Sequence, residues 1–453
     1  MTSIVEPPPT LLGEVRRLAQ RSRRPSHRIL FVLGGLAVVA GIALRFWSPS
    51  PLWLDETLSV DIARLPLAQI PRALSHDGSP PLYYLLLHFW MLLFGQSDEA
   101  TRALSGVISV VSLPFFWLAG RRLGGRRTAW IALFVAATSP FAINYATSVR
   151  MYSLMILWSL LGFLALARAL ESPTPRRLVA LGVMTSLLLY THYWGLYLVA
   201  ATAAWMFWRV RRGRNAPVED SELRGVRRAF GAVVVGGLCW LPCVPLFFYQ
   251  LLHTGTPWTS AAGPADLLRV FGDFAGGGPW GLLLTFVFFG LSFMGVFGRP
   301  LTSEAPGAPA GILLSARPQP RAVPLLTVMI GTLVIAVVLG SLAHSAFVAR
   351  YAAVVLPLFV LLVALGIAVF TDRRAVAAIL AVTCLAGVLT AQGENSSPRS
   401  EAGKVAAVLN VQAQPGDLVV YCPDQLGPAV NRLLRVPRVD QLTFPRATGP
   451  DLV

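Results

Sequence analysis

The stretch RRLGGRRTAWIALFVAATSPFAINYATSVRMYSLM, residues 121–155, decides the fold. Four arginines at its start precede an apolar run, which ends in the polar segment 144–150 before a second apolar run begins. Arginine clusters are typical of the cytoplasmic ends of membrane-spanning helices. The stretch therefore predicts one helix that leaves the cytoplasm and a second helix that returns to it.

The composition of the whole chain agrees with this local pattern. Of its 453 residues, 55% are hydrophobic and only 13% are charged, and the mean hydropathy is +0.62. Soluble domains are about a quarter charged. The net charge of +16 would indicate nucleic acid binding in a soluble protein. Here the arginines fall in short runs between apolar segments, so the composition indicates an all-α polytopic membrane protein without a nucleic acid partner.

Apolar runs of about 17 to 25 residues are long enough to cross a bilayer. They predict about eleven membrane-spanning helices and a division into three parts, which are a cytoplasmic tail (1–27), a transmembrane domain (28–391) and an extracytoplasmic tail or small cap (392–453). With the N-terminus inside and the C-terminus outside, every dense arginine cluster falls on the cytoplasmic side. The predicted spans are about residues 29–47, 103–120, 128–144, 153–168, 178–190, 195–208, 229–250, 281–298, 322–342, 352–370 and 375–391.

The first extracytoplasmic loop, residues 48–102, is long and contains the apolar stretch 81–94. This stretch is short for a span, and if it crossed the membrane the later arginine clusters would lie outside. We therefore predict an interfacial helix there. In the tail, LVVY at 418–421 predicts a strand and AVNRLLR at 429–435 predicts a helix.

Polar residues gather at the predicted outer ends of the spans. They are Asp55, Glu56, His76, Asp77, Arg150, Tyr152, His192, Tyr193, Arg350 and Tyr351. Each alone has an ordinary explanation, because an acidic pair can be a solvated loop and an arginine can reach the lipid headgroups. However, arginine is usually depleted on the extracytoplasmic side of membrane proteins. An anionic phosphate partner would account for the arginines predicted there.

Such a set of residues suits sugar transfer from a lipid phosphate. The phosphate leaving group gains negative charge as the glycosidic bond breaks, and fixed cations stabilise that charge. A carboxylate facing the acceptor hydroxyl can remove its proton as general base. One base without a covalent intermediate implies inversion at the anomeric carbon.

Four segments carry a resemblance to a known superfamily. They are WLDETLS (53–59), HDGSPPLYYLLLHFW (76–90), the stretch 121–155 and ARYAAVVLP (349–357). Together, over about residues 28–370, they resemble the GT-C glycosyltransferases. The bacterial branch similar to protein O-mannosyltransferases and lipid A aminoarabinose transferases is the best match in motif order.

The resemblance implies roles for individual residues. Asp55 corresponds to the catalytic base, and Glu56 would position the acceptor or the base. Arg150 resembles a contact to lipid phosphate or acceptor, and Arg350 a contact to donor phosphate. The remaining outer residues are candidates for substrate binding because of their predicted position on the outer face and not because of the resemblance. Gly78 and Ser79 separate His76 from the family's proline pair, which departs from the pattern and leaves the role of His76 open.

The resemblance implies an inverting glycosyltransferase of the bacterial cytoplasmic membrane. A polyprenyl phosphate would carry the sugar, for which mannose and arabinose are candidates, to a hydroxyl on protein, lipid or glycan outside that membrane. Asp55, Glu56, His76 and Asp77 could bind a divalent ion, but we expect no required metal and no other cofactor. The four cysteines show neither a disulfide framework nor zinc spacing. Two alternatives stay open, a transporter or flippase of a lipid-linked substrate and a non-catalytic scaffold.

Overall fold

The structure, a computed structural model, is mostly helical, as the sequence predicts. The N-terminal tail predicted at 1–27 lies outside the described residues, apart from His27. The structure describes residues 27–213, 220–254, 262–301, 311–342, 347–444 and 449.

Helices of very different length alternate along the chain. In chain order they are α1 (His27–Leu44), α2 (Leu54–Arg64), α3 (Ile70–Ala73), α4 (Leu82–Phe94), α5 (Asp98–Ala137), α6 (Pro140–Ala146), α7 (Tyr152–Glu171), α8 (Pro175–Leu189), α9 (Trp194–Gly213), α10 (Asp220–Leu238), α11 (Val244–His253), α12 (Asp266–Ala275), α13 (Gly278–Phe297), α14 (Ala322–Leu342), α15 (Leu356–Val369), α16 (Arg373–Ser396), α17 (Ala402–Gln412) and α18 (Gly427–Asn431). Short 3₁₀ helices lie at Leu74–His76, Leu241–Cys243, Ala349–Val355 and Asp424–Leu426, and the strands are β1 (Gly298–Leu301), β2 (Gly311–Leu314), β3 (Leu418–Tyr421) and β4 (Asp440–Thr443).

Seven helical segments among the described residues are long and apolar enough to cross a membrane. They lie in α5, α7, α10 with α11, α13, α14, the 3₁₀ helix 349–355 with α15, and α16. The chain is therefore an integral membrane protein by its helices. The number of eleven spans stays a prediction, because α1, α8 and α9 are not among the helices that are long and apolar enough to cross a membrane.

Helix α5 contains the span predicted at 103–120 and the first part of the span predicted at 128–144, whose last residues lie in α6. Its helical geometry breaks at Gly124 and Gly125, where Gly125 has φ +79°, a conformation that glycine adopts readily. The break lies inside the arginine cluster 121–127 and reverses the chain. We call the end of the bundle that carries Asp55 the Asp55 face, and the end that carries Arg122 the Arg122 face.

The loop 48–102 forms α2, α3 and α4 at the Asp55 face. Helix α4 covers 13 residues and packs against α2 and the start of α5. At about 1.5 Å per residue it is near 20 Å long, which is too short to cross a hydrocarbon core of about 30 Å. The predicted helix at 81–94 is confirmed, and its length agrees with an interfacial position.

Helix α15 is the centre of the core, since 13 of its 14 residues are buried. It packs against α13 and α5, and it approaches α13 most closely at two glycines. A Cβ atom added at Gly366 would lie 1.8 Å from the carbonyl oxygen of Leu291, and one at Gly295 would lie 2.4 Å from that of Leu362. Small residues let the two backbones meet, as is usual between helices in membranes.

Two segments predicted as loops contain regular structure. The segment 251–280, between the predicted spans 229–250 and 281–298, contains α12. The segment 299–321, between the predicted spans 281–298 and 322–342, contains most of β1 and all of β2, which pair antiparallel. The predicted span 229–250 is broken by the 3₁₀ helix Leu241–Cys243, which contains Pro242. Proline interrupts helical hydrogen bonding, which explains the break.

The C-terminal residues form a small unit on the Asp55 face. Its strands β3 and β4 pair in parallel, and α17 and α18 pack together around Ala406, Tyr421 and Val430. The strand predicted at 418–421 is confirmed. The ion pair from Arg432 to Asp98, 2.9 Å, attaches the unit to the start of α5.

Candidate active site

Asp55 lies in the first turn of α2, where the helix dipole favours a carboxylate. Its side chain is 22% exposed, and its Oδ2 lies 3.3 Å from Nη2 of Arg350. Its backbone oxygen accepts hydrogen bonds from Ser59 Oγ, at 2.7 Å, and from Arg150 Nη1, at 3.4 Å. The carboxylate is therefore held in position while part of it stays accessible.

Arg350 reaches Asp55 from the 3₁₀ helix that precedes α15. Its guanidinium carbon lies 5.4 Å from the ring centre of Trp53 and 5.6 Å from that of Tyr351. These distances are typical of cation–π contacts. The two rings and the carboxylate hold the guanidinium group beside Asp55.

Arg150 lies between α6 and α7 and is 6% exposed. Its Nη1 donates to Ser59 Oγ at 3.1 Å and to Tyr84 Oη at 3.4 Å, and it lies 3.6 Å from Asp77 Oδ1. Tyr84 in turn donates to Asp77. The structure therefore joins the predicted residues Arg150 and Asp77 to the backbone of Asp55.

Two buried polar atoms in this cluster have no hydrogen-bond partner among the described residues. They are Nε of Arg150 and the hydroxyl of Tyr152. Buried polar groups are almost always hydrogen-bonded, so such atoms need an explanation. Both are donors, and donors of this kind suit an anionic ligand.

His192 completes the cluster with aromatic contacts. Its ring centre lies 4.9 Å from that of Tyr351 and 6.2 Å from that of Tyr152. The backbone N–H of Trp194 donates to Nδ1 of His192 at 3.1 Å, which assigns the proton of the neutral ring to Nε2. Burial, with the nearby Arg150 and Arg350, lowers the pKa of His192 to about 3. The imidazole is therefore neutral at physiological pH and carries its N–H at Nε2.

The low pKa of His192 predicts a pH-dependent stability. In the unfolded chain the imidazole binds a proton below about pH 6.5, whereas in the folded protein it does so near pH 3. Its contribution to stability is complete above the unfolded pKa and decreases as the pH falls towards 3. We expect the unfolding temperature in detergent to fall more between pH 7 and about pH 4.5 for the wild type than for His192→Gln. Parallel curves would contradict the buried, neutral state.

Glu56 is fully buried beneath Asp55, unlike a group that touches substrate. Arg102 donates to its carboxylate from Nε at 3.1 Å and from Nη2 at 2.6 Å. The backbone N–H groups of Val149 and Trp53 donate to it at 2.9 and 3.2 Å. Arg399 lies 3.7 Å away. Because these groups surround it, Glu56 fits the predicted role of positioning Asp55 and does not fit direct contact with the acceptor.

His76 and Tyr193 lie apart from this cluster. His76 is exposed and has no hydrogen bond or ion pair to the cluster within the described ranges. Tyr193 donates to Gln250 and packs against Trp240 and Phe247. Gln250 in turn donates to the backbone oxygens of Leu74 and Ser79, so Tyr193 anchors the loop that follows α3.

Sequence reasoning missed two arginines of the site. Arg102 and Arg399 both reach Glu56, and Arg399 also donates to the backbone oxygen of Thr147 at 2.7 Å and to Asn144 Oδ1 at 2.9 Å. Both arginines lie on the predicted outer side, where arginine is unusual. The argument that singled out Arg150 and Arg350 could have found them.

No group of three or more His, Cys, Asp or Glu side chains in the described part of the chain is placed to hold a metal ion. The expectation that no metal is required stays a prediction.

Part of the chain matches a family model. Residues 78–218 match the model of dolichyl-phosphate-mannose-protein mannosyltransferase. The matched segment includes Arg150, Tyr152, His192 and Tyr193 but not Asp55 or Arg350. No curated protein matches the chain in sequence.

Solved structures resemble the chain over nearly its whole length. ArnT from Cupriavidus metallidurans bound to undecaprenyl phosphate is similar at 14% identity and a TM-score of 0.58, covering 93% of this chain and 87% of that chain. Its apo state is similar at 14% identity and a TM-score of 0.60, with coverages of 94% and 90%. The oligosaccharyltransferase of Archaeoglobus fulgidus with zinc and sulfate is similar at 12% identity and a TM-score of 0.52, with coverages of 92% and 62%. At these identities the likeness shows a shared fold.

Proposed function

Because the chain has the fold of the GT-C membrane glycosyltransferases, we propose that it is an inverting glycosyltransferase with its active site at Asp55. The donor is a polyprenyl-phosphate monosaccharide, with mannose and arabinose as candidate sugars. The acceptor is a hydroxyl group of a protein, lipid or glycan outside the cytoplasmic membrane of a bacterium. The partial match to a mannosyltransferase family supports the reaction class. A neighbour solved with undecaprenyl phosphate supports the carrier.

One observation carries the proposal. A partly exposed carboxylate, Asp55, lies 3.3 Å from a fixed guanidinium group and beside a second, buried arginine that has a free Nε donor. The carboxylate can accept the proton of the attacking hydroxyl. Arg350 and Arg150 stabilise the charge that develops on the departing phosphate. Tyr152 and His192 add neutral donors beside them.

The experiment is sugar transfer from radiolabelled polyprenyl-phosphate sugars by the purified chain in proteoliposomes, with extracts of protein, lipid and glycan as acceptors. We expect label in one acceptor class with at least one donor. Movement of intact labelled donor across the bilayer without transfer would instead support the transporter alternative. Neither transfer nor movement with any donor would support the scaffold alternative.

Removing the charge of Arg350 should weaken donor binding. A hydrogen bond to a charged group contributes about 1.5 to 3 kcal/mol, so Arg350→Gln should raise the Kd for polyprenyl phosphate by roughly 10- to 100-fold. Binding is measured by titration of the lipid phosphate into protein in detergent. Arg299→Gln, at an exposed arginine in β1, is the matched control. Equal affinity in the wild type and Arg350→Gln would contradict the assigned role.

A further inference from the structure

A cavity lies away from Asp55, between α7, α8, α9, α14 and α15. Its volume is about 360 Å³, and most of its lining is apolar. It extends along α7 from Trp158 to Glu171, which is about 20 Å at 1.5 Å per residue. That length is about two thirds of the hydrocarbon thickness of a bilayer. The cavity has the length and chemistry to take a hydrocarbon chain.

The mouth of the cavity, at the Arg122 face, is positively charged. Arg122, Arg209 and Arg321 line it with a single glutamate, Glu171, which leaves a net charge of +2. Arg122 pairs with Glu171, and Arg209 pairs with Glu222 outside the cavity. Arg321 is exposed and makes no ion pair with any described residue. The mouth therefore favours an anionic group.

Two polar atoms in the cavity wall are buried without a hydrogen-bond partner among the described residues. They are Oγ of Ser159 and Nε1 of Trp158. Next to them, Gly162 leaves the wall open, because a Cβ atom added there would meet nothing within 4 Å. The wall is therefore not closed by its own side chains.

We propose that this cavity holds one hydrocarbon chain of an anionic membrane phospholipid, whose phosphate headgroup lies against Arg321 at the mouth. The opposite orientation fits poorly. A polyprenyl carrier with its phosphate at Asp55 would place its apolar end among three arginines, and desolvating those charges is costly. The headgroup and the mouth have complementary charge, and the apolar wall packs against the chain. The site is separate from the one assigned to sugar transfer.

The test is native mass spectrometry of the purified chain after incubation with phosphatidylglycerol and phosphatidylcholine of identical acyl chains. The wild type should retain one phosphatidylglycerol and little phosphatidylcholine. Gly162→Leu should lower retention about fivefold or more by filling the cavity. Its control is Gly290→Leu, because Gly290 is exposed on α13 and also has open space at its Cβ position.

A second pair of variants tests the headgroup contact independently of cavity filling. Arg321→Gln should lower the preference for phosphatidylglycerol about tenfold, whereas Arg317→Gln, at an exposed arginine outside the lining, should leave it unchanged. Wild-type retention by Gly162→Leu, or equal retention of both phospholipids by the wild type, would overturn the proposal. The proposal would also be overturned if polyprenyl phosphate co-purified with the protein and were the only lipid that Gly162→Leu displaced. No sugar transfer is measured, so the outcome does not depend on the proposed function.

Discussion

Replacing Asp55 with asparagine is expected to lower the rate of sugar transfer by about 10²- to 10⁴-fold, the usual contribution of a general base. The substitution keeps the size and nearly the shape of the side chain but removes its capacity to take a proton. It also removes the negative charge beside Arg350, so the guanidinium group attracts the donor phosphate more strongly. Donor binding should therefore be maintained or strengthened while turnover is lost.

The measurement is the initial rate of transfer at saturating donor, together with the Kd for polyprenyl phosphate. Asp61→Asn is the matched control, because Asp61 lies on the same helix, α2, and pairs with Arg64. Transfer by Asp55→Asn at the wild-type rate would still support a glycosyltransferase but would show that Asp55 is not the general base. Loss of donor affinity in proportion to rate would indicate a binding role for this carboxylate.

Replacing Glu56 with glutamine is expected to destabilise the protein by about 3 to 5 kcal/mol, the usual cost of breaking a buried ion pair. The carboxylate is fully buried and has Arg102 as a bidentate partner. Its loss leaves the guanidinium group of Arg102 buried without its counter-charge. The change should appear as a lower unfolding temperature in detergent.

The control for Glu56 is Glu99→Gln, at an exposed glutamate in the first turn of α5. It should unfold at the wild-type temperature. A role for Glu56 in positioning Asp55 also predicts that transfer by Glu56→Gln stays low at temperatures where the variant is fully folded. Wild-type stability in Glu56→Gln would contradict the network of Glu56, Arg102 and Arg399.

The membrane helices were predictable because their signals are local. Apolar run length and arginine position are both read along the chain, and α14 has the predicted bounds of 322–342. The interfacial helix α4 was predicted from the same two signals, the short length of its apolar run and the positions of the later arginine clusters. Helix α12 and the strands β1 and β2 were missed because their segments are short and were interpreted as loops.

The residues of the site were only partly predictable. Asp55, Asp77, Arg150, His192 and Arg350 do meet in the structure. Their position at the predicted outer ends of the spans was enough to select them. The contacts of these residues with distant parts of the chain could not be predicted. The contact between Glu56 and Arg399 joins residues 343 positions apart in sequence, through two helix ends that meet only after the bundle packs. A single sequence contains no signal for such a contact.

The most direct test of the central claim, that Asp55 acts as a single general base in a transfer without a covalent intermediate, is the anomeric configuration of the product. Sugar is transferred from a polyprenyl-phosphate donor of known configuration to the acceptor identified in the transfer assay, and the new linkage is determined by NMR. The account predicts a configuration opposite to that of the donor. Retention of the donor configuration would contradict it, because a single in-line displacement assisted by one base inverts the anomeric carbon.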